Sequence, residues 1–147
     1  SQVFDNPEAL AVGLQSLKWL VSIQTSETGC FMPIGSNGFH SRHCVQAEFD
    51  QQPVEAQAMV SACLDAFRAT QDTTWLHEAK RAFEWFLGRN HLGVPLYDAS
   101  TGGCSDGLHA DRISENHGAE SLLAFQLSLA DMTYIKNLNS VDVEILA

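Results

Sequence analysis

The sequence predicts an all-α fold of two αα-hairpin repeats, with long loops gathered on one face in a partial α/α-toroid-like arrangement. Three observations carry that reading. Four stretches have the apolar spacing of helices, two connections between them far exceed ordinary loop length, and three short motifs recur in order at nearly one offset.

The first helical stretch, near residues 7–24, opens with Asn6 as a cap and Pro7 in its first turn, and sets Leu10, Leu14, Leu17 and Val21 in one stripe. The second runs from Pro53 to about 69 through Ala56, Ala58, Ser61, Ala62, Cys63 and Ala66. Small residues around much of its circumference let neighbours close in, so it reads as enclosed. After Gln71-Asp72-Thr73, the third, 74–88, carries Leu76, Ala79, Phe83, Phe86 and Leu87 on one face and Lys80, Arg81 and Glu84 on the other. That is the pattern of a surface helix, stopped by Gly88. The fourth, 118–135, is apolar nearly all round through Leu122, Leu123, Phe125, Leu127, Leu129 and Met132, and is expected to be enclosed. Trp19, Trp75 and Trp85 all fall inside these stretches and read as packing residues.

Internal duplication follows from three collinear matches. Lys18-Trp19-Leu20 aligns with Glu84-Trp85-Phe86 at an offset of 66, and Asn37-Gly38-Phe39-His40 with Asp106-Gly107-Leu108-His109 at 69. Asp50-Gln51-Gln52-Pro53-Val54-Glu55-Ala56 aligns with Glu115-Asn116-His117-Gly118-Ala119-Glu120-Ser121 at 65. Each unit is then an exposed helix, a glycine-bearing loop and an enclosed helix; stacking such units buries a continuous core and leaves the loops on one face. The chain reads as a single helical domain over 1–147, with repeat 1 at about 7–70, repeat 2 at about 74–135 and a tail at 136–147. Two hairpins make only part of a toroid and leave the fourth helix wet on one flank. Self-association is therefore expected, a twofold dimer ahead of a ring-completing trimer. A monomer would instead need tail residues Val141, Val143, Ile145 and Leu146 to cover that helix.

Eight Lys and Arg face 18 Asp and Glu, a formal charge of −10, and such a surface repels nucleic acid and anionic membranes. With 45% hydrophobic and 18% charged residues the composition is globular, no apolar run approaches the ~20 residues that span a bilayer, and Ser1-Gln2-Val3-Phe4-Asp5 does not open a signal peptide. A cytoplasmic location and reduced thiols at Cys30, Cys44, Cys63 and Cys104 are the expectation, with Cys63 buried and the other three in loops. No phosphate-binding or nucleophile-elbow motif occurs, and no cofactor is expected. His40, His43, Cys44 and Cys30 fit no compact zinc pattern, so no metal is expected either.

Residues 25–52 and 89–117 are connections well beyond the roughly 12–15 residues at which a structureless loop is usually functional or disordered. Phe31, Phe39, Phe49, Leu92, Leu96, Tyr97 and Leu108 can anchor them on the helix ends. Their polar residues point to a saccharide or glycoconjugate, because hydroxyls need paired donors and acceptors while sugar rings offer apolar faces. The binding candidates are His40, Asp50, Gln51, Glu55, Tyr97, Asp98, His109, Asn116 and His117; Asp106, Asp111, Glu115 and Glu120 are the candidate acids and bases for glycoside chemistry. Glu55 and Glu120 are open to two readings: a carboxyl pair on neighbouring helices, or capping-box residues returning to Gln52 and His117. For Asp106 the alternative to chemistry is closing an Asp-Gly turn. A structural or protein-interaction domain, and a hydrolase completed by oligomerisation, stand as alternatives to the saccharide reading.

Several separated motifs then converge on one likeness. Phe49-Asp50-Gln51-Gln52-Pro53-Val54-Glu55-Ala56, Val60-Ser61-Ala62-Cys63-Leu64, Phe86-Leu87-Gly88-Arg89-Asn90, Gly93-Val94-Pro95-Leu96-Tyr97-Asp98, Thr101-Gly102-Gly103-Cys104, Asp106-Gly107-Leu108-His109 and Asn116-His117-Gly118-Ala119-Glu120-Ser121 resemble the helical C-terminal module of some bacterial glycosyltransferases, over roughly residues 10–134. The resemblance implies a toroid-class helical fold and a carbohydrate context. The nucleotide-sugar-binding part of such proteins has no counterpart here, so this chain is not expected to be a complete glycosyltransferase by itself. His117 stands where the family pattern has glutamine, and the His40–Cys44 stretch departs from its glycine-rich form.

Overall fold

The computed structural model describes residues 6–41, 43 and 45–138, and the tail residues Val141, Val143, Ile145 and Leu146, with Arg42 and Cys44, lie outside them. The architecture is largely helical: α1 (Pro7–Ile23), α2 (Pro53–Thr70), α3 (Thr74–Glu84) and α4 (Ala119–Leu138), with one two-residue ribbon of β1 (Tyr97–Asp98) and β2 (Gly103–Cys104). The ribbon is antiparallel, Tyr97 opposite Cys104 and Asp98 opposite Gly103. No described helix is long and apolar enough to cross a membrane.

α1 starts as its sequence dictates: the Asn6 carboxamide accepts from the Ala9 amide at 3.0 Å and Pro7 occupies the first turn. α2 lies at the centre, packed against both α3 and α4, while α1 rests more lightly on it. Its buried side chains Ala56, Met59, Val60, Cys63, Leu64, Ala66 and Phe67 form one broad face, while Ala58 and Ala62, expected to be enclosed, are exposed. The core continues into an aromatic cluster: Phe125 of α4 stacks on Tyr97 at 4.0 Å between ring centres and meets Phe83 at 5.9 Å and Phe86 at 5.6 Å.

Several expectations need correction. α3 buries Leu76, Ala79 and Phe83 of its expected apolar face, with Trp75 and Ala82 beside them, but it ends at Glu84, ahead of the expected 88, and Leu87 is exposed. A tighter turn follows, and Gly88 takes φ +99°, where an added Cβ would crowd Pro95. α4 is not enclosed: Leu123, Leu127 and Tyr134 are 59, 53 and 56% exposed, because only one side of this helix has α2 and α3 against it, and the helix continues past Lys136 to Leu138. Trp19 is not a packing residue but 52% exposed, in contrast to the buried Trp75 and Trp85. Phe39, expected as a loop anchor, is also exposed, whereas Phe31, Leu96 and Leu108 are buried as anticipated. Cys104 is buried in β2 rather than set in an open loop.

Candidate functional site

The two long connections meet at the end of the molecule where α2 and α4 begin. Gln51, two residues before α2, pairs with Leu108 through reciprocal backbone hydrogen bonds of 2.9 Å, and Leu108 also bridges Ile113. Gly107 is required at this crossing, because a Cβ there would lie 2.8 Å from the Gln51 carbonyl oxygen. Gln51 is itself buried: its carboxamide oxygen accepts from the Trp85 indole at 2.8 Å and its amide donates to the Glu48 carbonyl at 2.9 Å. It is a structural pin between the loop and the end of α3, so its polar groups are spent inside the protein.

Asp50, one residue away, stays near the surface and meets His109 Nδ1 through Oδ1, with the two side chains 39 and 30% exposed. A carboxylate on Nδ1 orients the imidazole and leaves Nε2 as the ring's other polar edge. Beside them the ring of Phe49 packs on that of His91, 4.7 Å between centres. His91 was absent from the sequence-derived candidates; no local motif marks it, and only the fold carries it back to the segment before α2.

The remaining candidates serve other ends. Asp106 Oδ1 accepts from the Gly118 amide at 2.5 Å and from the Ser121 hydroxyl at 2.6 Å, so this carboxylate caps the start of α4 from twelve residues upstream. That displaces His117 as the expected cap; its Nε2 lies 3.4 Å from Ser105 Oγ instead. Gln52 does cap α2 by position but makes no side-chain capping bond. The capping-box reading of Glu55 is overturned: its Oε2 accepts from the Gln24 amide at 2.9 Å and the Ile34 backbone N–H at 3.3 Å, tying the first loop to α2. Burial pushes the Glu55 carboxyl above its ordinary range, against the downward pull of the Ile34 and Gln24 hydrogen bonds.

Asp98 closes the β1–β2 turn by accepting from the Ser100 hydroxyl and amide and the Thr101 hydroxyl, and these bonds, the Ser100 hydroxyl foremost, hold it below the usual carboxylate range. Tyr97 is occupied by its stack on Phe125. Asp111 pairs with its neighbour Arg112 at 2.9 Å, and Glu115, Asn116 and Glu120 are exposed. His40 is exposed too, its ring 6.0 Å from that of Trp19. The fold therefore joins Asp50 to His109 and leaves the four candidate acids apart in role: one caps a helix, one pairs locally and two face solvent.

No protein-family model and no curated protein matches this chain. Among the described residues no three His, Cys, Asp or Glu side chains converge as metal ligands. Cys30, Cys63 and Cys104 are free thiols; burial pushes Cys63 up to about 12 and Cys104 to about 11, so neither supplies a thiolate at neutral pH. A second polar feature is a cleft of about 270 Å³ lined by Gly29 and Cys30 of the first connection, His77, Lys80, Arg81 and Glu84 of α3, and Arg89 of the second connection. Its cations are largely engaged, Arg81 with Glu78 at 2.5 Å and Arg89 with Glu84 at 2.9 Å.

Proposed function

We propose that the loop face at the starts of α2 and α4 binds a saccharide or glycoconjugate. The observation that carries this reading is the Asp50–His109 pair, 39 and 30% exposed, next along the chain to Phe49, whose ring meets that of His91 at a tilt of 57°. A carboxylate acceptor and an imidazole edge suit a pair of ring hydroxyls, and an aromatic face suits the C–H side of a sugar ring. The resemblance to glycosyltransferase-associated modules points the same way. A partial α/α toroid is supported by the central place of α2 between α3 and α4 and by the shared end of their two loops. A cytoplasmic setting is supported by the three free thiols.

The test is a thermal-shift screen against neutral and acidic mono- and oligosaccharides, repeated on Asp50→Asn, His109→Gln and His91→Ala. A saccharide at about 100 times its dissociation constant stabilises by about 2.7 kcal/mol. That shift is expected to shrink in each variant and persist in Glu120→Gln, whose side chain is outside the pair. A panel in which no saccharide raises the melting temperature ends the reading.

A second reading, a protein-interaction domain that self-associates as a dimer ahead of a trimer, is favoured by the exposed row of Leu123, Leu127 and Tyr134 on α4. The hydrolase alternative draws little from Asp106 and Asp111, whose carboxylates are engaged in a cap and a local ion pair.

A further inference from the structure

The duplicated motifs are paired in one place and bare in two others. Inside the chain, the segment before α2 and the second repeat form a compact contact: Trp85 donates to Gln51, Leu108 pairs its backbone with Gln51 and is buried, and His109 meets Asp50. By the sequence offsets, the counterparts of Trp85, Leu108 and His109 are Trp19, Phe39 and His40, and the counterparts of Asp50 and Gln51 are Glu115 and Asn116. Every one of these five counterparts is exposed, Trp19 by 52% and Phe39 by 63%.

The bare aromatic half is already assembled, because the rings of Trp19 and His40 lie 6.0 Å apart. The helix beneath it is open in the same sense. Ala9, Gly13 and Ser16 of α1 are exposed where their counterparts on α3, Trp75, Ala79 and Ala82, are buried, and a Cβ built on Gly13 meets nothing within 4 Å. Two half-interfaces of matched chemistry thus sit on different parts of the surface: an aromatic–imidazole half on the first repeat, and an acid–amide half ahead of α4.

We propose that these halves join between molecules, the Trp19–Phe39–His40 face of one copy seating on Glu115–Asn116 of a second copy as Trp85, Leu108 and His109 seat on Asp50 and Gln51 within the chain. Trp19 then donates its indole N–H to the Asn116 carboxamide, and His40 meets the Glu115 carboxylate. The occupant is a second copy because the contact it must reproduce is written in this chain's own repeat, down to acid before amide on one side and tryptophan with imidazole on the other. Such a contact is head-to-tail. It closes into a ring or runs on as a filament, unlike the isologous pairing that α4 alone would give. It does not depend on the saccharide reading.

Complementary half-variants test it. One variant, Trp19→Ala with Phe39→Asp, loses the aromatic half; the other, Glu115→Arg with Asn116→Ala, loses the acid–amide half. All four positions are exposed, and circular dichroism matching the wild type confirms that each variant folds. In sedimentation velocity the wild type is expected to assemble with concentration, each variant alone to stay monomeric, and a 1:1 mixture to form a heterodimer and go no further, since one intact half remains on each partner. A wild type that is monomeric at hundreds of micromolar overturns the proposal. So does a mixture that stays monomeric while the wild type assembles, which assigns assembly to another surface such as Leu123 and Leu127. Variants that assemble as well as the wild type overturn it too.

Discussion

Two glycine segments that match at Gly and His have opposite fates. In Asp106-Gly107-Leu108-His109 the acid caps α4, the glycine passes against the Gln51 carbonyl, the leucine is buried and the histidine meets Asp50. In Asn37-Gly38-Phe39-His40 the asparagine, aromatic and histidine all face solvent, and the segment is held by backbone pairing of residues 35–37 with 47–50. The difference teaches that a short motif carries a capacity for contact, and that the segment packed against it decides whether the capacity is used. The second segment has Asp50 and Gln51, ahead of α2, to pack on, whereas the side chains of the first stay exposed.

The sharpest way to break the comparison is truncation at the paired hydrophobic positions. Leu108→Ala is expected to cost about 2–5 kcal/mol in urea unfolding, the range for a leucine removed from a close-packed site. Phe39→Ala, at concentrations where the chain is monomeric, is expected to stay within about 0.5 kcal/mol of wild type. Equal losses would mean that the first loop is packed as tightly as the second.

Next in size comes the cap. Asp106→Ala removes the acceptor of the Gly118 amide and the Ser121 hydroxyl, and about 0.5–2 kcal/mol should be lost, with faster amide hydrogen exchange at the first turn of α4. Asn37→Ala should leave both stability and exchange near wild type. A silent Asp106→Ala would show that Gly118 finds another acceptor and that the two motifs differ less than their hydrogen bonds imply.

The smallest effect is a dependence on pH. Burial raises the Glu55 carboxyl, so between the unfolded value and the raised folded value the folded chain holds more protons than the unfolded one. Its contribution is complete below the unfolded pKa and is lost as pH rises through the folded pKa. Glu55→Gln keeps an oxygen for Gln24 and Ile34 without the charge, so its melting temperature relative to wild type should climb from acidic pH to neutrality. A flat difference would mean that the two hydrogen bonds cancel the burial, and a falling one that they outweigh it.

How far the sequence discloses this molecule depends on the range of the interaction concerned. Helix spacing, Asn6 and Pro7 at the start of α1, and the breaks after 23 and 70 are local, and three of the four helices end within a few residues of their expected limits. The exposure of α4 is not local: a helix apolar on every side carries no mark of which side has a neighbour. The same holds for the site. Asp50 and His109 were both legible as loop polar residues, yet their meeting depends on a backbone crossing at Leu108, 57 positions beyond Gln51. Glu55 looked like a capping residue because its position in the helix fits that role, and its bonds to Gln24 and Ile34 come from a loop folding back over the helix start.

Trp85 sits fully enclosed with its indole N–H on Gln51, adjacent to Asp50, while Trp19 lies open on α1. Their fluorescence should therefore divide into two channels. Trp85 emits from a dry, hydrogen-bonded setting out of reach of iodide, and any occupant that disturbs the segment before α2 will move its emission wavelength. Trp19 emits from a wet setting, and iodide quenching will report when something covers it. With Trp75 also buried and remote from that change, replacement of Trp19 by phenylalanine separates the channels, and the unlabelled protein becomes its own indicator of events at either end.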